Sequence, residues 1–226
     1  MPGEGLLHNG RFITFEGGEG AGKSTQIRRL ASALRGHARE IVVTREPGGT
    51  PLAEKLRGFI LAGKARDFGP FGEALLFSAA RIDHIDRIIR PALARGAFVL
   101  CDRFADSTRA YQGARGGMDA GMLLAMERVT LAGLRPDLTF ILDIAPETGM
   151  ARAHARRGAA GADRFEAEGL AFHAELRAKF LDIAREEPER CRVIDASRPE
   201  AEVARAILAA CLEKWPLPEA EEKKWA

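Results

Sequence analysis

The sequence predicts an α/β fold in which a parallel β-sheet is covered by helices on both faces. Strand-like apolar runs alternate with segments of helical periodicity along the chain, and this alternation is typical of parallel sheets. The run at residues 98–101, Phe-Val-Leu-Cys, is apolar throughout, as expected of a strand buried on both faces. A glycine-rich segment at residues 17–22 separates the first strand from the first helix. Ligands of such folds bind at the carboxyl ends of the strands, so this segment is expected at the binding edge.

The strands and most helices can be located from these patterns. Strands are expected at residues 12–15, 41–44, 98–101, 138–142 and 191–194. Helices are expected at residues 27–34, 51–61, 71–93, 118–131, 146–156, 169–185 and 199–212. In the long helix, Leu75, Ile82, Ile85 and Ile89 are expected to form one apolar stripe, and Pro91 is expected to bend or end the helix.

Length and charge limit the classes of protein that the chain can represent. No repeat or linker divides it, so residues 1–226 are expected to form a single domain with loose tails at 1–10 and 216–226. The net charge of +2 indicates neither a nucleic-acid partner nor a membrane partner. No apolar stretch is long enough to span a membrane, and no signal peptide is recognisable. With an odd number of cysteines in apolar runs, the sequence predicts a cytoplasmic protein with reduced thiols.

Residues 17–24 match the pattern G-x-x-x-x-G-K-[ST] of a phosphate-binding loop. Its glycines allow backbone N–H groups to point inward, and the following helix adds the positive end of its dipole. Lys23 is expected to reach the β- and γ-phosphates of a nucleotide, and the Ser24 hydroxyl is expected to bind Mg²⁺. The residues assigned to ATP binding are Gly17, Gly18, Glu19, Gly20, Ala21, Gly22, Lys23, Ser24 and Thr25.

Arginines near the strand ends indicate a second anionic substrate. They are Arg45, Arg103, Arg152, Arg156, Arg157 and Arg164. Phosphoryl transfer requires that charge on the moving group be neutralised and that two reactants be held in line, which explains many cations at one edge. For Arg152, Arg156 and Arg157, an ordinary solvated position on a helix is an equally good interpretation. Asp102 ends a buried strand, where a carboxylate can face a metal ion.

Four segments resemble motifs of bacterial thymidylate kinases in order and spacing. They are residues 15–25 (FEGGEGAGKST), 44–50 (TREPGGT), 102–113 (DRF followed by S and AYQG) and 163–166 (DRFE). The resemblance covers about residues 12–212. It implies an adenylate-kinase-like P-loop NTPase domain with sheet order 2-3-1-4-5 and a short lid at about residues 152–166. It also implies transfer of the ATP γ-phosphate to dTMP, with Mg²⁺, in a homodimer.

The resemblance implies a role for each matching residue that lies near the phosphates. Arg103 would bind the dTMP phosphate and reach toward the transferred group, and Arg45 would approach the same phosphate. Asp102 would act on Mg²⁺ directly or through water. Glu19 is a carboxylate beside polyphosphate, which would be repelled unless it faces a hydroxyl or a cation. In the family this acid holds the 3′-hydroxyl of dTMP.

The resemblance also implies the residues that bind the base. Phe77 and Arg81 lie four residues apart on one helical face, and together they suit a pyrimidine that stacks on the ring and accepts from the guanidinium. From spacing alone, Phe77 would be a core residue. Thr108 and Gln112 would lie near the base on a helix after Arg103. The Tyr111 ring would occupy the space that a ribonucleotide 2′-hydroxyl needs.

The lid indicates the subtype of the family. One subtype carries a catalytic arginine in the phosphate loop, but Gly20 stands at that position here. The sequence therefore resembles the subtype with a basic lid, in which Arg156 or Arg157, with Arg164, would enter on closure and expel water. No histidine lies at ligand spacing from a carboxylate or cysteine, so no catalytic histidine is expected.

Two other functions fit parts of this pattern. One is a different P-loop nucleotide or deoxynucleoside kinase, and the other is a binding module that uses nucleotide hydrolysis as a switch. The sequence contains no N-K-x-D segment, which a GTPase would need to read its base.

Overall fold

A computed structural model describes residues 10–35, 37–38, 40–115, 118–157, 165 and 167–216. Within these residues the chain forms a five-stranded sheet in the order β2-β3-β1-β4-β5, and every neighbouring pair is parallel. The strands are β1 (Arg11–Glu16), β2 (Ile41–Arg45), β3 (Phe98–Asp102), β4 (Leu138–Asp143) and β5 (Cys191–Asp195). The predicted strand positions and the 2-3-1-4-5 order are confirmed.

Helices connect the strands. They are α1 (Lys23–Ala33), α2 (Pro51–Leu61), α3 (Gly69–His84), α4 (Arg90–Ala94), α5 (Ala105–Arg115), α6 (Ala120–Leu131), α7 (Pro146–Arg157), α8 (Leu170–Glu186) and α9 (Glu200–Lys214). The helix predicted at 71–93 is divided by a π-helical turn at Ile85–Ile89, where Arg90 N donates to Ile85 O. Pro91 follows and has no N–H to donate, so the regular helical ladder cannot pass through it.

The predicted apolar stripe of this segment is wrong in its first half. Ile85 and Ile89 are buried, but the side chains of Leu75 and Ile82 lie in solvent, with 45% and 44% of each residue exposed. The buried face of α3 carries small and polar residues instead, including Ala74, Ser78 and Arg81. Periodicity of apolar residues failed here because α3 turns a polar face toward the interior.

The core lies on both faces of the sheet because successive strand residues point to opposite sides. Ile13 and Leu100 pack in the cluster that includes Ile27 of α1 and Ile207 of α9. Phe12 and Val99 pack on the opposite face with Ile85 and Phe104. A third cluster joins α5 to α8 through residues that include Tyr111, Leu176 and Phe180. The sheet therefore presents a rigid edge at the carboxyl ends of β1, β2 and β3.

Gly10 does not belong to a loose tail as predicted. A Cβ placed on Gly10 would lie 2.6 Å from Leu93 Cα, so the backbone is closely packed there. The remaining predicted tail residues, 1–9 and 217–226, and the lid residues 158–164 and 166 lie outside the described residues. Within the described part of the chain, no helix has both the length and the apolar content that crossing a membrane requires.

Candidate active site

The phosphate loop connects β1 to α1 and has the backbone that its glycines permit. Gly17, Gly20 and Gly22 have φ values of 126°, 67° and 88°, in the region that favours glycine. Lys23 folds over the loop and donates from Nζ to the carbonyls of Gly17 at 3.1 Å and Gly18 at 2.8 Å. Burial, with the nearby Arg103 charge, lowers the pKa of Lys23 to about 8. The buried ammonium is thus close to the loop that would hold phosphates.

Gly20 packs directly against the backbone of α7. A Cβ on Gly20 would lie 1.9 Å from Gly149 O, and a Cβ on Gly149 would lie 2.4 Å from Glu19 O. The position therefore has no room for the arginine that another subtype carries in its loop. This contact also places the base of the helix that leads into the lid against the phosphate loop.

Ser24 and Asp102, the two predicted metal ligands, are brought together. Ser24 Oγ donates to Asp102 Oδ2 at 2.5 Å, and both residues line the cleft described below. A hydroxyl and a carboxylate are hard oxygen donors of the kind that Mg²⁺ prefers. Among the described residues, no group of three or more histidine, cysteine or acidic side chains forms a complete metal cage. The pair fits an ion that takes its other ligands from water and substrate phosphates.

Arg103 connects the phosphate loop to the neighbouring helix. Its backbone adopts φ 70°, which is uncommon outside glycine, and its N–H donates to Phe15 O at 2.9 Å. Its guanidinium donates to Gly17 O at 3.0 Å and to Glu19 Oε1 at 2.7 Å. Tyr111 Oη also donates to Glu19 Oε1, at 2.7 Å. Burial would raise the pKa of Glu19, but the charges of Arg103 and Lys23 outweigh burial and lower it to about 2.

Glu16 lies behind Arg103 and was not identified from the sequence. It is fully buried at the end of β1 and accepts from Phe104 N at 2.7 Å and from Ser107 Oγ at 2.6 Å. Burial, followed by repulsion from Asp106, raises the pKa of Glu16 to about 8. Glu16 therefore fixes the turn between β3 and α5 that carries Arg103.

A cleft of about 300 Å³ lies at this edge of the sheet. Its lining includes the predicted residues Glu19, Gly20, Ala21, Gly22, Lys23, Ser24, Arg45, Phe77, Arg81, Asp102, Arg103, Thr108, Tyr111 and Arg156. Further lining residues had no role assigned from the sequence. Among them, Arg57 donates to Pro47 O at 2.9 Å, Glu46 is buried, and the Phe165 ring centroid lies 5.1 Å from that of Tyr111. Glu46 and Phe165 lie in motif segments but had no role assigned to them, and Arg57 lies in a helix whose composition gives no functional signal.

The two residues assigned to the base line the same cleft as Lys23. Phe77 is half-buried, and its ring centroid lies 6.2 Å from that of Phe165. Arg81 is almost fully buried and donates from Nη2 to Thr108 Oγ1 at 3.0 Å and from Nε to Glu46 Oε2 at 2.6 Å. Phe77, Arg81 and Thr108 are therefore brought together as expected.

Gln112 has a different environment from its predicted partners. It is buried, donates to Glu73 Oε1 at 3.3 Å and is not among the residues that line the cleft. Its Oε1 is buried and has no hydrogen-bond partner in the described part of the chain. Arg115 donates to the same Glu73 oxygen at 3.2 Å and lies over the Phe165 ring. Gln112 thus contacts Glu73 of α3, which does not line the cleft either.

The predicted arginines other than Arg81 and Arg103 have different positions. Arg45 is exposed and donates to Glu54 Oε1 at 3.0 Å. The solvated interpretation holds for Arg152, which donates to Ala196 O at 2.9 Å, away from the cleft. Arg157 ends α7, and Arg164 lies outside the described residues. Of the lid arginines, Arg156 is placed at the cleft.

The sheet order, the phosphate loop and the basic cleft beside it define a P-loop phosphotransferase. A family model described as thymidylate kinase matches residues 15–207. The chain therefore belongs to the thymidylate kinase family, whose members are ATP-dependent phosphotransferases.

Individual relatives agree with this assignment. The thymidylate kinase of Nitrobacter hamburgensis is 56% identical over 209 residues, covering 92% of this chain and 90% of that protein. The thymidylate kinase of Caulobacter vibrioides is 59% identical over 201 residues, covering 89% of this chain and 95% of that protein. The crystal structure of a thymidylate kinase from Ehrlichia chaffeensis superposes with a TM-score of 0.71 at 34% identity, covering 90% of this chain and 99% of that one. The resemblance and the P-loop NTPase fold inferred from the sequence are confirmed.

Proposed function

We propose that the chain transfers the γ-phosphate of ATP to dTMP, giving dTDP and ADP, and so supplies dTTP synthesis. The observation that carries this proposal is Arg103, whose guanidinium contacts both a phosphate-loop carbonyl and Glu19 in a cleft that Phe77 and Arg81 also line. One cation thus lies between a nucleotide-phosphate site and a compartment that suits a pyrimidine.

The donor side acts through the phosphate loop. Its backbone N–H groups and Lys23 bind the ATP phosphates, so that the leaving ADP is stabilised as the bond to the γ-phosphorus breaks. Ser24 and Asp102 hold Mg²⁺, which neutralises phosphate charge when it is bound. The short bond between these two oxygens supports their joint role.

The acceptor side orients dTMP for in-line attack. Arg45 and Arg103 bind its 5′-phosphate, one oxygen of which attacks the γ-phosphorus. No general base is required, because this oxygen already carries charge. Glu19, whose lowered pKa keeps it ionised, accepts from the 3′-hydroxyl. Phe77 stacks on the base, Arg81 binds its carbonyl with Thr108 and Gln112 nearby, and Tyr111 excludes a 2′-hydroxyl.

Arginines of the lid neutralise the remaining negative charge of the transferred phosphoryl group. The catalytic role of Arg156 is supported by its position in the cleft lining. The roles of Arg157 and Arg164 are assigned from the family resemblance. Their guanidinium groups would meet the transferred phosphoryl group on closure and exclude water from the acceptor position.

A homodimer is part of the proposal. Phe71, Leu75 and Ile82 form an exposed apolar row on α3, and Met122 and Val129 form another on α6, which packs against α3. Exposed apolar rows on adjacent helices are typical of association surfaces. Val129→Glu should shift sedimentation toward the monomer, whereas Val193→Glu on the exposed side of β5 should not. A cytoplasmic location is supported by the free, buried thiols of Cys101, Cys191 and Cys211.

An acceptor panel tests the activity. ADP release should be measured with ATP, Mg²⁺ and each of dTMP, dUMP, dCMP, dGMP, thymidine and UMP, and dTMP should give the highest kcat/KM. Equal or better turnover of dCMP or thymidine would favour another nucleotide or nucleoside kinase. Rapid ATP hydrolysis without any acceptor would favour the switch module. Loss of turnover in EDTA, restored by Mg²⁺, tests the metal.

A further inference from the structure

Arg81 is held so that one of its nitrogens is left for a ligand. Nε donates to Glu46 Oε2 at 2.6 Å, and Nη2 donates to Phe104 O at 3.1 Å and to Thr108 Oγ1 at 3.0 Å. Within the described part of the chain, Nη1 makes no hydrogen bond, although Arg81 is only 4% exposed and lines the cleft. Because a guanidinium has donors in a fixed plane, the three bonds on Nε and Nη2 determine where Nη1 points.

Glu46 is itself held from behind by a histidine. Its second oxygen, Oε1, lies 3.0 Å from His84 Nδ1, and His84 Nε2 lies 2.6 Å from Thr44 Oγ1. His84 is completely buried at the end of α3. A carboxylate only accepts hydrogen bonds, so we assign the ring proton to Nδ1, and Nε2 then accepts from the Thr44 hydroxyl. The side-chain polar atoms of Glu46, His84 and Thr44 therefore all have partners.

The loop between β2 and α2 is packed over the same contact. A Cβ on Gly49 would lie 2.8 Å from both His84 Nε2 and Thr44 Oγ1, so the loop backbone covers their hydrogen bond. Thr50 Oγ1 donates to Asp83, the residue before His84. The loop that supplies Glu46 is therefore fastened to the end of α3 at two consecutive residues.

We propose that His84 is a positioning residue for base selection, because it holds Glu46 and thereby aims Arg81 Nη1 at the acceptor base. This inference rests on the proposed function, in which Arg81 meets a pyrimidine carbonyl. Arginine can only donate, so it favours a base with a carbonyl at C4, such as thymine, over cytosine, whose 4-amino group also donates. A buried donor left without an acceptor is costly, which is the source of the discrimination.

Two variants of His84 separate positioning from general stability. The amide nitrogen of His84→Asn lies near the position of Nδ1 and can still donate to Glu46, whereas that of His84→Gln lies near the position of Nε2 and cannot. Both lose part of the ring packing. The measurements are kcat and KM for dTMP and dCMP, together with the melting temperature of each variant.

We expect His84→Gln to raise KM for dTMP and to narrow the dTMP-to-dCMP ratio of kcat/KM by about tenfold or more, the effect of losing one hydrogen bond to a charged group. Its kcat for dTMP should change little, because the groups that touch the phosphates remain. His84→Asn should keep the ratio within about threefold of the native protein, a difference that lies inside the ordinary context dependence of one bond. A ratio unchanged in His84→Gln, or lost equally in both variants, would overturn the proposal.

Thr44→Val provides a second test if His84→Gln does not fold. Valine preserves the shape of threonine but cannot donate to Nε2, and it should narrow the ratio in the same direction. An unchanged ratio in a folded Thr44→Val protein would also overturn the proposal. If the native protein does not prefer dTMP to dCMP, the assignment of Arg81 to the base fails first. If the native protein prefers dTMP to dCMP and the variants keep this preference, only the role of His84 is excluded.

Discussion

Two parts of the cleft, the phosphate end around Lys23 and the base end around Phe77 and Arg81, differ in the kind of structure that forms them. The phosphate end uses consecutive residues, and its geometry depends on backbone: three glycines in left-handed conformations and a helix that starts at Lys23. The base end uses side chains from the loop after β2 and from α3 and α5, joined through Glu46, Arg81 and Thr108. The first should therefore be sensitive to an added Cβ on its backbone, whereas the second should respond to the loss of a single polar atom.

Arg103→Ala tests the residue that joins the two ends, and it should have the largest effect. The change removes the cation that we propose to meet the reacting phosphates, so kcat should fall by about a hundredfold or more. It also removes one of the two donors that lie 2.7 Å from Glu19 Oε1, the other being Tyr111 Oη. Steady-state kinetics with ATP and dTMP measure the loss. Arg185→Ala, on the exposed end of α8, is the control and should retain activity. A loss below tenfold would show that Arg103 is not the charge that serves the reaction.

Gly149→Ala should damage the phosphate end without changing any charge. The added Cβ would lie 2.4 Å from Glu19 O, and the loop backbone must move to relieve this contact. Overpacking of this kind costs about 1–3 kcal/mol. KM for ATP should therefore rise and the melting temperature should fall.

Gly58→Ala is the matched control for that variant. Gly58 lies inside α2, and a Cβ there meets no atom within 4 Å. Alanine in a helix interior is favoured over glycine by about 0.5–1 kcal/mol, so this variant should be slightly more stable and fully active. If both glycine variants behave alike, the contact between α7 and the loop is not what constrains the phosphate site.

The same contrast explains what the sequence could predict. The phosphate loop was recognised because its residues are contiguous and each has a local physical reason. The contact between Glu46 and His84 was not predicted, because it joins residues 38 positions apart. The sequence alone does not show which residue a single histidine will contact in the fold. The apolar stripe on α3 was misassigned for a related reason, since Arg81 and Ser78 occupy the buried face that apolar periodicity normally marks.

Glu16→Gln should change how stability depends on pH. The folded-state pKa of Glu16, about 8, lies above its ordinary value of 4.5. The contribution of Glu16 to the free energy of unfolding is therefore fully present below about pH 4.5 and is lost as pH rises through about 8. Glutamine cannot titrate. Between pH 5 and 7.5 the melting temperature of the native protein should fall relative to that of Glu16→Gln. The fall should be about 2–4 °C for each kcal/mol by which the free energy of unfolding decreases. The exposed substitution Glu189→Gln should leave the native pH dependence unchanged, and a Glu16→Gln curve parallel to the native one would contradict the assignment.

Tyr111 offers the finest distinction, because its ring and its hydroxyl have separate contacts. The ring packs edge-on against Phe165, with centroids 5.1 Å apart, and the hydroxyl donates to Glu19 at 2.7 Å. Tyr111→Phe removes only the hydroxyl, so KM for dTMP should rise by about two- to tenfold, as expected for one hydrogen bond, while the preference for a deoxyribose acceptor persists. Tyr111→Ala should narrow that preference, measured as the kcat/KM ratio of dTMP to its ribonucleotide counterpart, because the space for a 2′-hydroxyl opens. If Tyr111→Phe narrows the ratio as much as Tyr111→Ala does, sugar selection depends on the polar contact with Glu19, and the acceptor end discriminates through hydrogen bonds at the sugar as well as at the base.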